Sequence, residues 1–356
     1  MRATDTRALG RSGLRVSVLG LGGAPLGDLY ERIPEERALA TIRHAYDLGV
    51  RLFDTAPLYG HGLSEHRFGH VLRPVGLRRR DAGGSPEAVI EDRDGLVVST
   101  KVGRYLVPER PEKVERGLFR GGLNFRVVPD YSYDGAMRAF EQSLQRLGMD
   151  RVDVVHIHDV DVWTWGSEEA FQRRFREAMD GAYRALHELR AQGVTRAVGV
   201  GVNEVRPLMM FAEAGEFDTF MLAGRYTLLG QEPLDDLLPL CERRGIGIMT
   251  AGPFNSGILA TGAIEGATYD YRPAPPAIMD RVRRIEAVCR RHGVPLAAAA
   301  VQFPLAHPAV SSMVPGAVRP EEVDANVRLI ETPIPADVWA ELKHEGLLRE
   351  DAPTPG

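Results

Sequence analysis

The sequence predicts an α/β protein built as a single (β/α)8 TIM barrel over residues 1–356, with an N-terminal β-hairpin at about residues 7–20 and long loops at the C-terminal face. Three observations predict it. Strand-length apolar runs and helix-length amphipathic runs alternate from end to end, and there are eight of the former. The runs are apolar on both faces, as parallel strands covered on both sides require. Three successive runs then turn abruptly ionisable at their C-terminal ends, where the side chains of such a barrel converge. A doubly wound sheet would want a glycine-rich fingerprint that opens a helix. Here Gly20-Leu21-Gly22-Gly23-Ala24 is followed by Pro25, where that helix would begin.

The elements follow in order. A turn at Arg11-Ser12-Gly13 precedes the first strand, Val16–Gly22. Pro34-Glu35-Glu36-Arg37 opens a helix, because proline suits a first turn and carboxylates favour its positive end. Its apolar face runs through Ala40, Ile42, Ala45 and Leu48, and Gly49 ends it. The second strand is Val50–Phe53, and the others are expected at Leu96–Val102, Val152–His158, Ala197–Val202, Thr219–Ala223, Ile246–Thr250 and Ser311–Val314. Helices are expected at Ser64–Leu72, Tyr133–Leu147, Glu168–Gln192, Val205–Ala214, Leu234–Arg244 and Ala277–Ala306, the last broken at Gly293-Val294-Pro295. Two insertions stand out. Residues 77–94 are polar and read as a surface loop. Residues 104–130 mix Tyr105, Leu106, Phe119, Leu123, Phe125 and Val127 with basic residues, and by position they would lie over the barrel mouth and shape a substrate pocket or pack on its rim.

Bulk properties narrow the function classes. With 44% hydrophobic and 26% charged residues the chain is globular rather than disordered. A formal charge of −5 gives no electrostatic reason to expect nucleic acid or an anionic membrane as a partner. Arg78-Arg79-Arg80 lies beside Asp81, Glu87 and Asp92 and reads as solvated loop. Cys241 and Cys289 form neither a disulfide framework nor a zinc spacing, and they are expected to pack as small apolar residues. The charged stretch Met1 to Arg15 lacks the apolar run of a signal peptide, and no segment approaches the roughly 18 apolar residues of a membrane span, so the cytoplasm is the expected compartment.

The chemistry concentrates in Phe53-Asp54-Thr55-Ala56-Pro57-Leu58-Tyr59-Gly60, Val98-Ser99-Thr100-Lys101 and Val154-Val155-His156-Ile157-His158. On successive strands of a barrel, Asp54, Tyr59, Lys101 and His158 become neighbours. A Lys cation close to a Tyr favours phenolate and lowers its pKa from roughly 10. Asp54 can hold Lys101, and His158 can orient a substrate oxygen. His156 shares its side of the strand with His158, but His158 lies nearer the strand end. Such a site suits the interconversion of C–OH and C=O, provided that a nicotinamide cofactor carries the hydride. A metal site from His156, His158, Asp159 and Asp161 lacks ligands on neighbouring strand ends, so no metal is expected. His61 and His66 read as packing or surface residues.

The segment from Asp54 to Gly60 with Ser64-Glu65, then Ser99-Thr100-Lys101, then Asp153 five residues before His158, is similar to the aldo-keto reductase superfamily over nearly the whole chain. The resemblance implies Tyr59 as general acid/base, Lys101 and Asp54 as its tuners and His158 as substrate orienter. It also implies a nicotinamide cofactor extended across the barrel mouth without a Rossmann domain. Gly22, Gly23, Asp54 and Asn203 would meet it near the ring, the segment Gly252, Pro253, Phe254, Asn255, Ser256 and Gly257 at the pyrophosphate, and Gly316, Arg319, Glu322 and Asn326 at the adenosine end. Ala223 and Ala251 stand where the family carries Gln and a stacking Tyr. Gly316 and Glu322 stand where NADPH-preferring relatives carry Lys and Arg, which implies NAD, whereas Arg319 pulls toward NADP.

Within the superfamily, Asp130-Tyr131-Ser132-Tyr133-Asp134-Gly135, His158-Asp159-Val160-Asp161 and Ala223-Gly224-Arg225-Tyr226-Thr227-Leu228-Leu229 resemble the aldose 1-dehydrogenases, which act on L-fucose, D-arabinose or L-galactose type sugars, with pyridoxal 4-dehydrogenase close by. The resemblance implies oxidation of an anomeric hydroxyl to a lactone, with hydride passing to NAD. Asp159, Asp161 and Trp163 would read sugar hydroxyls by position, while Trp163 and Trp165 could equally pack on the rim. Three other readings remain. One is an NADPH-dependent aldehyde or ketone reductase. Another is a non-catalytic, cofactor-sensing subunit like the barrel-shaped regulatory subunits of potassium channels. The last is a Schiff-base lyase using Lys101.

Overall fold

The computed structural model describes residues 1–73, 93 and 95–356, so the insertion expected at 77–94 lies outside the described residues except at Arg93. Eight parallel strands form one sheet in sequential order: β1 (Gly20–Gly22), β2 (Leu52–Asp54), β3 (Val97–Val102), β4 (Val154–His158), β5 (Ala197–Val202), β6 (Thr219–Ala223), β7 (Gly247–Ala251) and β8 (Val310–Val314). Parallel bridges at Leu19–Met313 and Gly22–Gly316 join the two ends of the sheet, giving a (β/α)8 barrel. Among the described residues no helix is long and apolar enough to cross a membrane.

Strand alternation decides what faces the barrel interior. Leu52, Val97, Val154, Ala197, Met221 and Met249 form an inner apolar cluster with Leu9, Leu14 and Val16. One residue on, Phe53, Val98, Val155 and Val198 belong to the outer core under the helices. One further residue returns inward and brings Asp54, Ser99, His156 and Gly199. The inner cluster is thus apolar at the bottom and gives way to polar groups toward the C-terminal mouth.

An antiparallel hairpin of Thr6–Ala8 and Arg15–Ser17 carries Leu9 and Leu14 into the inner cluster and plugs the bottom of the barrel. It also corrects the expected first strand, Val16–Gly22. That stretch is two pieces, because Val18 and Leu19 donate their N–H groups to Asp5 O (2.8 Å) and Ala3 O (3.0 Å) before β1 begins. Helix Glu35–Asp47 buries Ala38, Thr41, Ile42 and Ala45, a face rotated from the expected one. The helix expected at Glu168–Gln192 is Glu168–Glu177 and Tyr183–Ala191 joined by a π-turn at Ala178–Ala182. There Ala182 N–H reaches Tyr131 O at 2.9 Å, and a Cβ on Gly181 would stand 2.6 Å from that same oxygen. Helices Pro320–Glu331 and Ala336–His344 were not expected; the first packs on helix Glu35–Asp47.

The insertion at 104–130 is a second hairpin rather than a loop, with Arg104–Pro108 antiparallel to Phe125–Pro129 and Tyr105 opposite Val128. Leu106 exchanges two hydrogen bonds with the Gln142 amide, both 3.0 Å, which fixes the hairpin to helix Tyr133–Leu147. Its tip returns over the mouth: Phe119 bridges Leu29 and Leu123 N–H donates to Gly60 O at 3.0 Å.

Candidate active site

The turn after β2 delivers Tyr59. Thr55 N–H donates to Ser99 O (2.9 Å) and Tyr59 N–H to Ala56 O (3.1 Å). The Thr55 hydroxyl donates to Ser64 Oγ, which donates to Gly23 O, each 2.8 Å. Gly60 has φ +62°, and a Cβ there would stand 2.4 Å from Gly27 O, so only glycine fits this turn. The ring of Tyr59 is thereby folded back over the ends of β2, β3 and β4.

The structure brings Asp54, Tyr59, Lys101 and His158 together. Lys101 Nζ donates to Asp54 Oδ2 at 2.7 Å and to Thr55 O at 2.8 Å, and it lies 4.9 Å from the centroid of the Tyr59 ring. Ser99 donates to the other Asp54 oxygen at 2.7 Å. The Tyr59 and His158 rings meet edge to face, 5.8 Å apart at 85°. Lys101 and Asp54 are buried, Tyr59 only partly so. Breaking such a buried pair by removing one partner typically costs about 3–5 kcal/mol.

Burial opposes charge on Lys101, but the adjacent Asp54 carboxylate, with Tyr59 beside it, outweighs that, and the ammonium is held above its ordinary range. The expectation that Tyr59 would be acidified is corrected. Loss of water pushes its pKa up to about 12, and Lys101 only offsets part of the rise, against Asp54 and Asp159. His158 is held well below its ordinary value by burial first and then by the Arg104 and Lys101 cations, so it is neutral near pH 7. Behind it, buried His156 is pushed down to about 3 by burial and Lys101; its Nδ1 is 3.4 Å from Ser99 Oγ, and its Nε2 has no partner.

The turn after His158 is clamped from three elements. Asp159 has φ +53°, unusual for a residue with a side chain. Tyr131 OH donates to His158 O (2.6 Å) and Asp159 O (3.2 Å), Trp165 Nε1 donates to Asp159 O (2.9 Å), and Arg104 donates to His158 O (3.3 Å). The Asp159 carboxylate lies 3.1 Å from Arg104 Nη1 and 3.5 Å from His158 Nε2. Burial raises its pKa to about 6, with Arg104 acting against the rise. Asp161 is not available to a substrate: it is buried and accepts from Thr164 N–H (2.8 Å) and Asn203 N–H (3.0 Å). Trp165 packs against Tyr131 and Arg174, whereas Trp163 is exposed and sits near Tyr271 and Arg225. His61 is a packing residue bonded to Phe125 O, and His66 is exposed. Arg104 and Ser99 were not singled out from the sequence. Ser99 could have been, since it lies two residues before Lys101 on the same face; Arg104 leaves no such signal.

A crevice runs over the ends of β5, β6 and β7. Asn203, Ala223, Gly224, Gly252, Asn255 and Ser256 line it, with Trp163, Asp270 and Tyr271 across it. Arg225 pairs with Asp270 at 2.8 Å, and Tyr271 N–H donates to Ser256 Oγ at 3.0 Å. Asn255 Nδ2 donates to Gly224 O at 2.9 Å, leaving its buried Oδ1 without a partner. Gly252, Asn255, Ser256 and Gly257 all have positive φ, so the segment is tightly coiled around the crevice. Pro253 and Phe254 lie within that coil. On the far side, Gly22 bridges Gly316, and Gly23 N–H donates to Asp54 O at 2.7 Å. A Cβ on Gly316 would stand 2.5 Å from Pro25. Asn326 is largely buried in helix Pro320–Glu331. Glu322 and Arg319 do not act in opposition as separate charges. Glu322 accepts from Arg319 Nε at 2.7 Å and from Val318 N–H at 2.8 Å. The glycine-lined crevice, the orphan amide oxygen of Asn255 and its continuity with the Tyr59 mouth fit an extended dinucleotide. Among the described residues no group of three His, Cys, Asp or Glu side chains could hold a metal ion.

Comparison with known proteins agrees with this geometry. The model of the aldo/keto reductase family matches residues 18–345. The chain is 42% identical to pyridoxal 4-dehydrogenase of Microbacterium luteolum, over 98% of this chain and 99% of that one. It is 36% identical to D-threo-aldose 1-dehydrogenase of a Pseudomonas species, over the full length of both. Its fold is similar to that of aldo-keto reductase AKR11C1 from Bacillus halodurans, with a TM-score of 0.71 at 24% identity over 97% of each chain.

Proposed function

The chain belongs to the aldo/keto reductase family and is an oxidoreductase, and we propose that it oxidises the anomeric hydroxyl of an aldose of the L-fucose, D-arabinose or L-galactose type to a lactone, with NAD as acceptor. The observation that carries the proposal is the meeting of Tyr59, Lys101 and His158 at one mouth, with Asp54 2.7 Å from Lys101. The family's cofactor, NAD(P)(H), takes the hydride from the reacting carbon when bound. The hydroxyl proton must leave as C–O becomes C=O, and Tyr59 is the group placed to take it. Lys101, kept charged by Asp54, stabilises the phenolate that takes the proton. Neutral His158 donates a hydrogen bond to the reacting oxygen without adding a charge. Asn203 and the segment Gly252–Gly257 would hold the cofactor along the crevice, with Gly22 and Gly23 near the ring and Gly316 and Asn326 at the adenosine end.

The substrate class is supported by the two relatives. An aldose and pyridoxal both carry a hydroxyl able to close on the aldehyde, so both present a cyclic hemiacetal whose oxidation yields a lactone. Pyridoxal is therefore a second candidate on the same chemistry, favoured by the 42% identity. The lean to NAD rests on Gly316 and on Glu322, whose carboxylate occupies Arg319. The test is a panel of aldoses and pyridoxal with NAD⁺ or NADP⁺, followed by absorbance of the reduced nicotinamide. Turnover of a free sugar with NAD⁺ is expected. Silence with every sugar, together with NADPH consumption on simple aldehydes, would establish the carbonyl-reductase alternative instead.

A further inference from the structure

We propose that Asp159, held in place by Arg104, is a specificity-determining residue that accepts a hydrogen bond from a second hydroxyl of the substrate, on the carbon adjoining the reacting one. The inference rests on the oxidoreductase role given to Tyr59, Lys101 and His158 and adds a criterion for which substrates that site selects.

Asp159 follows His158 directly, and its carboxylate lies 3.5 Å from His158 Nε2. The reacting oxygen must sit between that nitrogen and the Tyr59 hydroxyl. A group on the adjoining carbon is then within reach of the carboxylate. One of its oxygens, Oδ2, faces Arg104 at 3.1 Å. Among the described residues Oδ1 accepts no hydrogen bond, and the side chain keeps 14% of its surface exposed at the mouth. An acceptor with one free oxygen, facing the substrate side of a mostly desolvated site, wants a hydroxyl donor. Left unmet, it would remain a poorly solvated carboxylate.

Three further observations show that the position is built rather than incidental. The backbone of Asp159 is in the left-handed region at φ +53°. It is kept there by its own N–H donating to Gly201 O at 2.8 Å and by the Tyr131 and Trp165 donors on its carbonyl. Arg104 has its guanidinium buried and serves both Asp159 and the His158 carbonyl, so one side chain aligns the orienting histidine and the acceptor together. The Arg104–Asp159 pair also cancels charge at the mouth. An anionic substrate would meet the carboxylate, whereas a neutral polyol meets an acceptor.

The test compares an aldose that the protein oxidises with its 2-deoxy counterpart, which still closes to a hemiacetal. Asp159→Gly removes the carboxylate while suiting the left-handed turn, and Asp159→Asn retains an acceptor oxygen and tolerates that turn. In the wild-type protein kcat/KM should favour the aldose by about 100-fold or more, the scale expected when a site built for a hydroxyl meets an analogue lacking it. Asp159→Gly should shrink that ratio by at least about tenfold, chiefly through KM for the aldose, and Asp159→Asn should retain more of the ratio than the glycine variant. A ratio unchanged in both variants would overturn the proposal, as would equal losses on the two sugars. Wild-type protein that oxidises both sugars equally well overturns this inference alone. Wild-type protein that oxidises neither overturns the assigned function with it.

Discussion

At the residue scale, the strand-end placement of Asp54, Tyr59, Lys101 and His158 was readable because each follows an apolar run. What surrounds them was not. A sequence shows that a Lys cation will stand near Tyr59, but not how much water the phenol loses. Here desolvation outweighs the cation and the pKa rises to about 12. The same limit applies to Arg319 and Glu322, three positions apart on a helix start, which read as opposing signals for cofactor choice and prove to be one ion pair. Neutralising Glu322 should therefore release Arg319 toward a 2′-phosphate. Glu322→Gln should shift the kcat/KM ratio toward NADP⁺ by about fivefold, the scale of an exposed charge pair. An unchanged ratio of the two cofactors in steady-state kinetics would remove that pair from cofactor choice.

At the element scale, period-2 alternation located the strands well because parallel strands buried on both faces leave little ambiguity. It failed where the expected segment changed partners. Val16–Ser17 pairs in the bottom hairpin and Gly20–Gly22 in the barrel, a division set by Ala3 and Asp5 from outside the run. The hairpin Arg104–Pro108 and Phe125–Pro129 was concealed by the long tip between its strands. Strand β5 shows how an element makes room for the site. Its inward positions are Gly199 and Gly201, across from His156 and Lys101. A Cβ on Gly199 would stand 2.0 Å from Thr219 O and 2.8 Å from the His156 ring, whereas one on Gly201 meets nothing nearer than 3.6 Å. Gly199→Ala should therefore destabilise the protein by about 1–3 kcal/mol, as overpacked cores do, with Gly201→Ala close to wild type in urea unfolding. Equal midpoints for the two variants would show that β5 shifts freely.

At the scale of the whole molecule, the barrel has an apolar plug at one end and its polar groups at the other, so that three strands and one returning hairpin aim side chains at a single mouth. The count and order of strands were legible in the chain from end to end. The convergence of Arg104, Tyr131 and Trp165 on the two carbonyls after β4 was not, since it depends on three elements far apart in sequence. The account turns on Tyr59 as the proton acceptor in hydroxyl oxidation. With its pKa raised above 10, the phenol is protonated at neutral pH, and the reactive phenolate fraction grows about tenfold per pH unit below that pKa. Oxidation should therefore quicken as pH rises from 7, while the reverse reduction, which needs the neutral phenol, should not. The most direct measurement is the pH dependence of kcat for the oxidised aldose in wild-type protein and in Tyr59→Phe, with cofactor affinity followed by fluorescence titration. The expected result is a rate that climbs with pH in the wild type and falls by about 10²–10⁴ in the variant, with cofactor binding retained. A Tyr59→Phe protein that turns over at near wild-type rate, with the same pH profile, would contradict the assignment.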